Sequence, residues 1–393
     1  MNALLTMAQA AWEAEETGVL CTVVRLDGSG YGQPGARLFM TESGERTGYI
    51  SGGCLEKDLC RRAWEATANG PRLIAFDTRG HAVDADRYNT GCEGVVYVLC
   101  QRVDAAHQFP LRIIEQVQTE RQPAKLLTVY RTESAAFQVG DSWAILGDRV
   151  LPSRETTEAI VLERLLKTAA SATKTQSLEI LTADQKPVEL ALEILRPPRE
   201  LIIFGAGDDV QPLVAMAALH GWKITVLGRR PELAAPTRFP VATVHCGRMA
   251  SLVPSLSLHE SSEVVMMTHD FDADAELLPA LLKTPVRSIG LLGPKRRLSR
   301  LVMRLYEQGV TLTPTNAERI RSPIGLDLGA VTPQEIATSI MAELIAMEHH
   351  REGGQLHQRQ EPLHDRAAHQ RLSPNLAVSE SPIKLPVSCG IHS

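Results

Sequence analysis

The sequence predicts an α/β protein in which an N-terminal α+β domain is followed by a C-terminal domain with a mostly parallel sheet. Two observations predict this fold. Residues 1 to about 105 alternate short β-like runs with glycine-rich turns and contain one clear helix near Cys54. The segment ELIIFGAGDDVQPLVAMAALHGWKITVLGRRPE, residues 200–232, instead has the pattern of a strand, a glycine-rich turn, a helix and a second strand. That order begins a parallel, Rossmann-like βαβ unit.

The domain boundary is predicted in RPPRE, residues 196–200, because proline and charge are concentrated there. Helix and strand patterns continue from residue 106 to about 195, so the N-terminal domain is predicted to cover residues 1–195. The Rossmann-like domain covers residues 196–348 and ends in an amphipathic helix within PQEIATSIMAELIAMEHH. Residues 349–393 are polar and aperiodic, and they are predicted to form a disordered tail.

Composition limits the class of partner. The net charge of -5 argues against nucleic acid and membrane surfaces, because binding to either rests on a summed basic field. No apolar stretch reaches the length of a membrane span. The N-terminus lacks the charged-then-apolar layout of a secretory signal, and its apolar residues recur at helical spacing instead. We therefore expect a cytoplasmic protein.

Seven cysteines are present, with no C-x-x-C pair. The odd count and wide spacing argue against a disulfide framework and against a structural zinc site. Apolar surroundings predict that most of them are buried core residues, namely Cys21, Cys60, Cys100 and Cys246.

Two cysteines stand apart because glycine-rich turns surround them. Cys54 follows Gly52 and Gly53 and is placed at the start of a helix, where exposed N–H groups favour a thiolate. It is therefore predicted to be a nucleophilic or metal-binding thiol, although Glu56 in the same turn partly offsets this effect. A buried cysteine behind a tight turn is the alternative. Cys92, in NTGCEGVVYV, is the second candidate.

A ligand crevice is predicted at the carboxyl ends of the parallel strands of the second domain. Gly205 and Gly207 follow the first of these strands and give a ligand close access to the backbone. Thr268 and His269 end the apolar run EVVMMTH and are placed at the same edge of the sheet.

The same crevice departs from the pattern of ordinary NAD binders. Val210 replaces the third glycine of G-x-G-x-x-G, and Asp208 and Asp209 stand where a pyrophosphate is attracted to a helix start. Gly228 ends the second strand, where an NAD binder has the acid that holds the ribose hydroxyls. The residues leave two alternatives open, a retained scaffold without NAD chemistry and true dinucleotide binding, and we predict that NAD binds weakly.

A basic segment follows another strand end. In SIGLLGPKRRLSRL, Lys295, Arg296 and Arg297 open a helix, which is a suitable place for a phosphate or an acidic partner surface. A solvated charged face is the alternative.

Five segments, in this order, closely resemble the XdhC/CoxI family: PGARLFMTESGERTGYISGGCLEKDL, LIIFGAGDDVQPL, MMTHDFDADAELL, GLLGPKRRLSRL and SPIGLDLGAVTPQEIATSIMAE. The resemblance spans about residues 10 to 346. It implies an accessory chaperone, rather than a hydroxylase, that transiently binds the molybdenum cofactor. It further implies that the cofactor is sulfurated with a cysteine desulfurase and inserted into a xanthine dehydrogenase-type molybdenum hydroxylase.

The residues and the resemblance together predict the site. Cys54 is the metal-proximal or sulfur-relaying thiol, with Cys92 assisting. The residues predicted to bind the cofactor are Gly52, Gly53, Gly205, Gly207, Thr268, His269, Lys295, Arg296 and Arg297. The chain departs from the family pattern at Asp208, where a His is common, at Gly228, where an Asp is common, and at Glu93, where the family has a Cys-Gly-Gly turn.

Two other classes of function remain as alternatives. An NAD(P)-dependent oxidoreductase would use Arg229 and Arg230 to recognise a 2′-phosphate. An adaptor would dock partners without binding a small molecule. The sequence leaves open which hydroxylase is served, which pterin form is bound and whether the protein is a homodimer.

Overall fold

The computed structural model describes residues 2–79, 94–155, 158–360 and 369–372. The chain divides into two compact units, Met1–Pro197 with His364–Ser393, and Pro198–Leu363. The first unit has two largely antiparallel sheets, and the second has one parallel sheet. The predicted fold class, an N-terminal α+β region followed by a Rossmann-like region, is confirmed.

The first sheet is antiparallel, and two helices lie between or before its strands in the sequence. The elements are α1 (Asn2–Glu13), β1 (Gly18–Gly28), β2 (Arg37–Thr41), β3 (Arg46–Gly48), α2 (Glu56–Ala66), β4 (Arg72–Asp77) and β5 (Gly94–Val103). The strand order is β3-β2-β1-β5-β4, so β1 lies at the centre of the sheet.

Side-chain alternation along β1 explains how both faces of this sheet are covered. Val19, Cys21 and Val23 point to one face and pack in a core with residues of α2. Leu20 points to the other face and packs with α1 and with residues of the second sheet. The packing of α2 against this first sheet therefore fixes the position of the loop that precedes α2. That loop contains Cys54.

The second sheet includes a strand from the C-terminal segment. Its elements are α3 (Phe109–Glu120), β6 (Ala124–Thr132), β7 (Ser142–Leu146), β8 (Arg149–Pro152), α4 (Ala159–Ser171), β9 (Gln176–Leu181), β10 (Pro187–Leu195) and β17 (His369–Arg371). The strand order is β17-β9-β10-β6-β7-β8. β17 pairs in parallel with β9, and Leu372 packs in the core of this sheet. A short part of the predicted tail thus belongs to the first unit.

The second unit is built on a parallel sheet. Its elements are β11 (Glu200–Phe204), α5 (Val210–Leu219), β12 (Lys223–Gly228), β13 (Thr243–Cys246), α6 (Met249–Leu252), β14 (Ser262–Met266), α7 (Phe271–Leu282), β15 (Ser288–Leu291), α8 (Lys295–Glu307), α9 (Pro314–Glu318), β16 (Ile320–Arg321) and α10 (Pro333–Glu348). The strand order is β13-β12-β11-β14-β15-β16.

Helices cover both faces of this sheet. One core contains residues of α5 and α10, and the other contains residues of α6, α7 and α8. The chain leaves β11 toward β12 on one side and later returns to β14 on the other, so the order reverses between β11 and β14. In open α/β sheets such a switch point forms the ligand crevice. Within the described ranges, no helix combines the length and apolarity that crossing a membrane requires.

Candidate functional site

The second unit has a crevice of about 530 Å³ at the carboxyl ends of its central strands. Its walls are the loop after β11, the end of β12 and the loop after β14. The lining residues are Gly205, Ala206, Gly207, Gly228, Arg229, Arg230, Leu233, Met249, Met267, Thr268, His269 and Asp270. Four residues predicted to bind the cofactor, Gly205, Gly207, Thr268 and His269, therefore surround one cavity.

Gly205 allows the loop after β11 to pass very close to the end of β14. Its φ of +142° lies in the region that favours glycine, and a Cβ at this position would lie 2.2 Å from the carbonyl oxygen of Met267. The Gly205 N–H donates to the Leu227 carbonyl at 2.8 Å, so the loop is held between the neighbouring strands. No larger residue fits here without moving backbone.

The two acids of the GAGDD turn are both paired. Arg238 Nη2 donates to Asp208 Oδ1 at 2.6 Å, while its Nη1 donates to two backbone carbonyls of the crevice wall. Asp209 Oδ2 lies 2.7 Å from His269 Nε2. Acids at a helix start would repel a pyrophosphate, and the guanidinium of Arg238 offsets part of that negative charge. The prediction of weak NAD binding stays a prediction.

Thr268 and His269 shape the turn from β14 into α7. His269 has a φ of +54°, a left-handed conformation that is uncommon for a residue other than glycine. The Thr268 hydroxyl donates to Asp274 Oδ1 at 2.5 Å and accepts a hydrogen bond from the Asp270 N–H at 3.1 Å. His269 Nδ1 has no hydrogen-bond partner within the described residues, so this nitrogen remains available to a ligand.

The basic segment of α8 is split between two environments. Arg297 donates through Nε and Nη2 to Asp274 Oδ2, at 2.8 and 2.5 Å. Asp274 is 1% exposed; burial raises its pKa, and the hydrogen bonds from Thr268 and Arg297 counteract only part of that rise. Lys295 and Arg296 are exposed, and Lys295, Arg296 and Arg297 are all absent from the crevice lining.

In the first unit, the loop before α2 presents Cys54 to solvent. The helix begins at Glu56, so Cys54 lies two residues before it. The predicted position of Cys54 at the helix start is therefore wrong by two residues. Gly53 has a φ of +108°, and a Cβ on Gly52 or on Gly53 would meet no atom within 4 Å. The thiol therefore stands on an open turn, which excludes the alternative of a buried cysteine.

Glu56 holds this turn in place. Its Oε1 accepts from the N–H groups of Ile50 and Ser51, at 3.1 and 2.7 Å, and its Oε2 accepts from the Ser51 hydroxyl. The Ser51 oxygen in turn accepts from the Leu55 N–H at 3.1 Å. Burial acts to raise the pKa of Glu56, but the hydrogen bonds from Ser51 and Ile50 outweigh it and lower the pKa. The carboxylate is thus occupied by the loop backbone.

The other cysteines divide by position in the sheets. Cys21 and Cys100 are buried as predicted, and their sulfur atoms lie 3.5 Å apart on paired strands. Cys60 is half-buried. The predicted burial of Cys246 is wrong: this residue is exposed, because it ends β13 at the edge of the parallel sheet. Cys92 lies outside the described residues.

No group of three or more His, Cys, Asp or Glu side chains is arranged to hold a metal ion in the described part of the chain. The prediction that Cys54 is a metal ligand therefore stays a prediction.

Two family models match the chain over the regions that contain these sites. The model described as XdhC and CoxI family matches residues 11–77, which include the Cys54 loop. The model described as XdhC Rossmann domain matches residues 201–344, which include the crevice. The chain belongs to the XdhC/CoxI family.

Named relatives extend the similarity to nearly the whole chain. A protein of Bacillus subtilis named as a probable xanthine dehydrogenase subunit is 29% identical, over 86% of this chain and 96% of its own. The molybdenum cofactor insertion chaperone PaoD of Escherichia coli is 21% identical, over 89% of each chain. A solved structure described as a xanthine dehydrogenase from Bacillus halodurans superposes with a TM-score of 0.70 at 26% identity, over 88% of this chain and 96% of its own.

In this XdhC/CoxI-family chain, the residues that hold the sites in place, as opposed to those that line them, are not marked by any clear local sequence pattern. Arg238 lies 30 residues after Asp208, and no local pattern connects the two. Ser51 and Glu56 are five residues apart and visible in the sequence, but the charge of Glu56 alone does not reveal its hydrogen bonds. An acid in the first turn after a Gly-Gly pair is the available signal.

Proposed function

We propose that this protein is an accessory chaperone that binds the molybdenum cofactor, supports its sulfuration and inserts it into a xanthine dehydrogenase-type molybdenum hydroxylase. The observation that carries the proposal is the similarity to an insertion chaperone over 89% of both chains. The relatives with xanthine dehydrogenase names support a hydroxylase of that class as the partner.

Cys54 is the proposed thiol for the metal-proximal or sulfur-relaying role. A thiolate is a soft ligand and a good nucleophile, and exposure makes it accessible to a cargo and to a partner. The hydrogen bonds of Glu56 fix the loop without using the Cys54 side chain. Cys92 is proposed to assist Cys54, and a cysteine desulfurase is the proposed source of sulfur.

The crevice of the second unit is the proposed place for part of the cofactor. Its volume of about 530 Å³ falls within the usual range of small-molecule pockets, which is about 300 to 1,000 Å³. Gly205 and Gly207 expose backbone, and His269 offers a free ring nitrogen. Lys295 and Arg296 are proposed to meet phosphate at the start of α8, whereas Arg297 is engaged by Asp274.

Cys54→Ser tests this function, with Cys60→Ser as the matched control because Cys60 is a half-buried thiol six residues away. A serine hydroxyl stays protonated at neutral pH and is a poor soft-metal ligand. We expect Cys54→Ser to reduce activation of an apo-hydroxylase and retention of molybdenum at least tenfold, and Cys60→Ser to retain both. Activation by Cys54→Ser at the wild-type level would contradict the role of Cys54.

A separate measurement tests the chaperone function itself. Protein purified from molybdate-fed cells is analysed for molybdenum and for the pterin by mass spectrometry. Stoichiometric cofactor that passes to an apo-hydroxylase supports the proposal. Full activation of the hydroxylase in cells that lack this protein would reject it.

A further inference from the structure

Gly228, which ends β12, offers no side-chain acceptor for ribose hydroxyls, and the reason is steric. A Cβ on Gly228 would lie 2.8 Å from the Cβ atoms of both Ala206 and Ala234. Real Cβ atoms essentially never come so close, so this position excludes every side chain unless its neighbours move. The carboxylate that NAD binders place here therefore has no room.

Two guanidinium groups follow instead. Arg229 and Arg230 both line the crevice, and both residues are exposed. Arg229 Nη1 lies 2.8 Å from Asp270 Oδ2, but both side chains of this pair are about half exposed, so the pair is weak. Asp270 Oδ1 already accepts from the Ala273 N–H at the start of α7. Arg230 has no ion pair or side-chain hydrogen bond within the described residues.

The two acids of the GAGDD turn near the crevice are paired. Asp208 bonds to Arg238, and Asp209 bonds to His269. Among the side chains that line the crevice at the end of β12, two guanidinium groups face one carboxylate, that of Asp270. Outside the lining, Glu276 also interacts with Arg229, but it is paired with Arg248. Among the described residues that line the cavity, positive charge is in excess at this end.

The crevice wall also contains apolar side chains. Leu233, Met249 and Met267 supply apolar surface to the same cavity. Methionine side chains adapt to irregular shapes and make favourable contacts with aromatic rings.

We infer that this crevice binds a heterocyclic cofactor through a phosphomonoester dianion, and that Arg229 and Arg230 are the phosphate-binding residues. Guanidinium groups bind phosphate through paired, charge-assisted hydrogen bonds. The inference does not depend on the proposed chaperone function, and for a pterin cofactor it places the phosphate at Arg229 and Arg230 instead of at Lys295 and Arg296. The phosphate has two chemical sources, the 2′-phosphate of NADP and the terminal phosphate of a pterin cofactor.

The test uses ligand pairs that differ only in the phosphomonoester. Binding of NADP and NAD, and of 2′,5′-ADP and 5′-AMP, is measured by calorimetry on the full chain. The pterin cofactor released from a molybdenum hydroxylase is compared with the same cofactor after phosphatase treatment. In at least one pair we expect the phosphomonoester to strengthen binding at least tenfold, and the pair that shows the effect identifies the source.

Variants assign the effect to residues. The double variant Arg229→Gln, Arg230→Gln should reduce the preference to less than threefold, and its fold is checked by circular dichroism and thermal unfolding. Arg304→Gln is the matched control, because Arg304 is an exposed arginine of α8 that does not line the crevice. It should retain the full preference.

Three results overturn the inference. The first is the lack of any phosphomonoester preference in the wild-type chain for all three pairs. The second is a preference that persists in a folded double variant. The third is a preference that Arg296→Gln removes, because the phosphate would then bind at the start of α8.

Discussion

The Cys54 loop and the crevice of the second unit differ in whether the functional residues also stabilise the local structure. In the loop, Ser51 and Glu56 make the fixing hydrogen bonds, and the exposed thiol takes no part in them. In the crevice, the lining residues are themselves structural, since Gly205 permits a close backbone approach and Thr268 bonds to Asp274. A change at the thiol should therefore alter function alone, whereas a change in the crevice wall should alter function and stability together.

The largest expected effect is that of Gly205→Ala. The added Cβ would lie 2.2 Å from the Met267 oxygen, on backbone with a φ of +142°. We expect a loss of about 4 kcal/mol in unfolding free energy, from overpacking and backbone strain together. Hydrogen exchange of peptides from the second unit, Pro198–Leu363, measures it.

Gly221→Ala is the control for backbone conformation alone. Its φ is +70°, and no atom lies within 4 Å of the position of a Cβ. A loss of about 1 kcal/mol is expected there. Equal losses in the two variants would show that the close approach at Gly205 is not what holds the crevice wall.

Arg297→Gln should cost about 3 kcal/mol in unfolding free energy, because it leaves the carboxylate of Asp274 buried without its charged partner. Breaking a buried pair in this way is strongly destabilising. Arg296→Gln, one residue earlier and exposed, should change stability by less than about 0.5 kcal/mol. Denaturant unfolding of both variants decides whether Arg297 has a structural role, and similar small effects would contradict it.

Glu56→Gln should destabilise the first unit by about 2 kcal/mol at neutral pH, because hydrogen bonds to a charged acceptor are lost. The effect should depend on pH. Since the folded-state pKa of Glu56 is lowered, its carboxylate stabilises the fold above the ordinary pKa of a glutamate. That contribution is lost as the pH falls through the lowered, folded-state pKa.

Unfolding free energies of the wild type and Glu56→Gln, measured between about pH 7 and about pH 3, should therefore converge in acid. Glu65→Gln is the control, because Glu65 is exposed on the same helix. A difference between wild type and Glu56→Gln that stays constant over this range would show that the carboxylate charge does not stabilise the loop.

The smallest effect on stability is expected for Cys54→Ser. The side chain is exposed and takes no part in the hydrogen bonds that fix the loop, so the unfolding free energy should change by less than about 0.5 kcal/mol. Thermal unfolding of the wild type and the variant measures this directly. A loss above about 1 kcal/mol would show that the thiol also supports the loop, and the contrast between the two regions would fail.

Local patterns are sufficient to predict the fold class. The apolar run of residues 201–204 forms a buried parallel strand, and Gly205 and Gly207, which follow it, line the crevice at the end of that strand. Both features are visible in the local sequence pattern. The clustering of Thr268 and His269 with these glycines follows from strand order alone.

Pairing at long range cannot be predicted in the same way. Cys246 follows an apolar run, which predicts burial. It is exposed because β13 is an edge strand, and only the sheet order shows that position. Arg297 belongs to a basic run of three, yet its partner Asp274 has the sequence pattern of an ordinary helix-start acid. Charge patterns along the chain do not distinguish a solvated cation from one that neutralises a buried carboxylate.

The steric closure of Gly228 has an evolutionary consequence. A crevice that binds ribose hydroxyls in the manner of NAD binders needs an acid at this position. The Cβ of such a residue would lie 2.8 Å from the Cβ atoms of both Ala206 and Ala234. A single codon change would therefore produce a clash before it produced a new contact. The shift between ligand classes therefore needs compensating changes at Ala206 and Ala234 in addition to the acid itself.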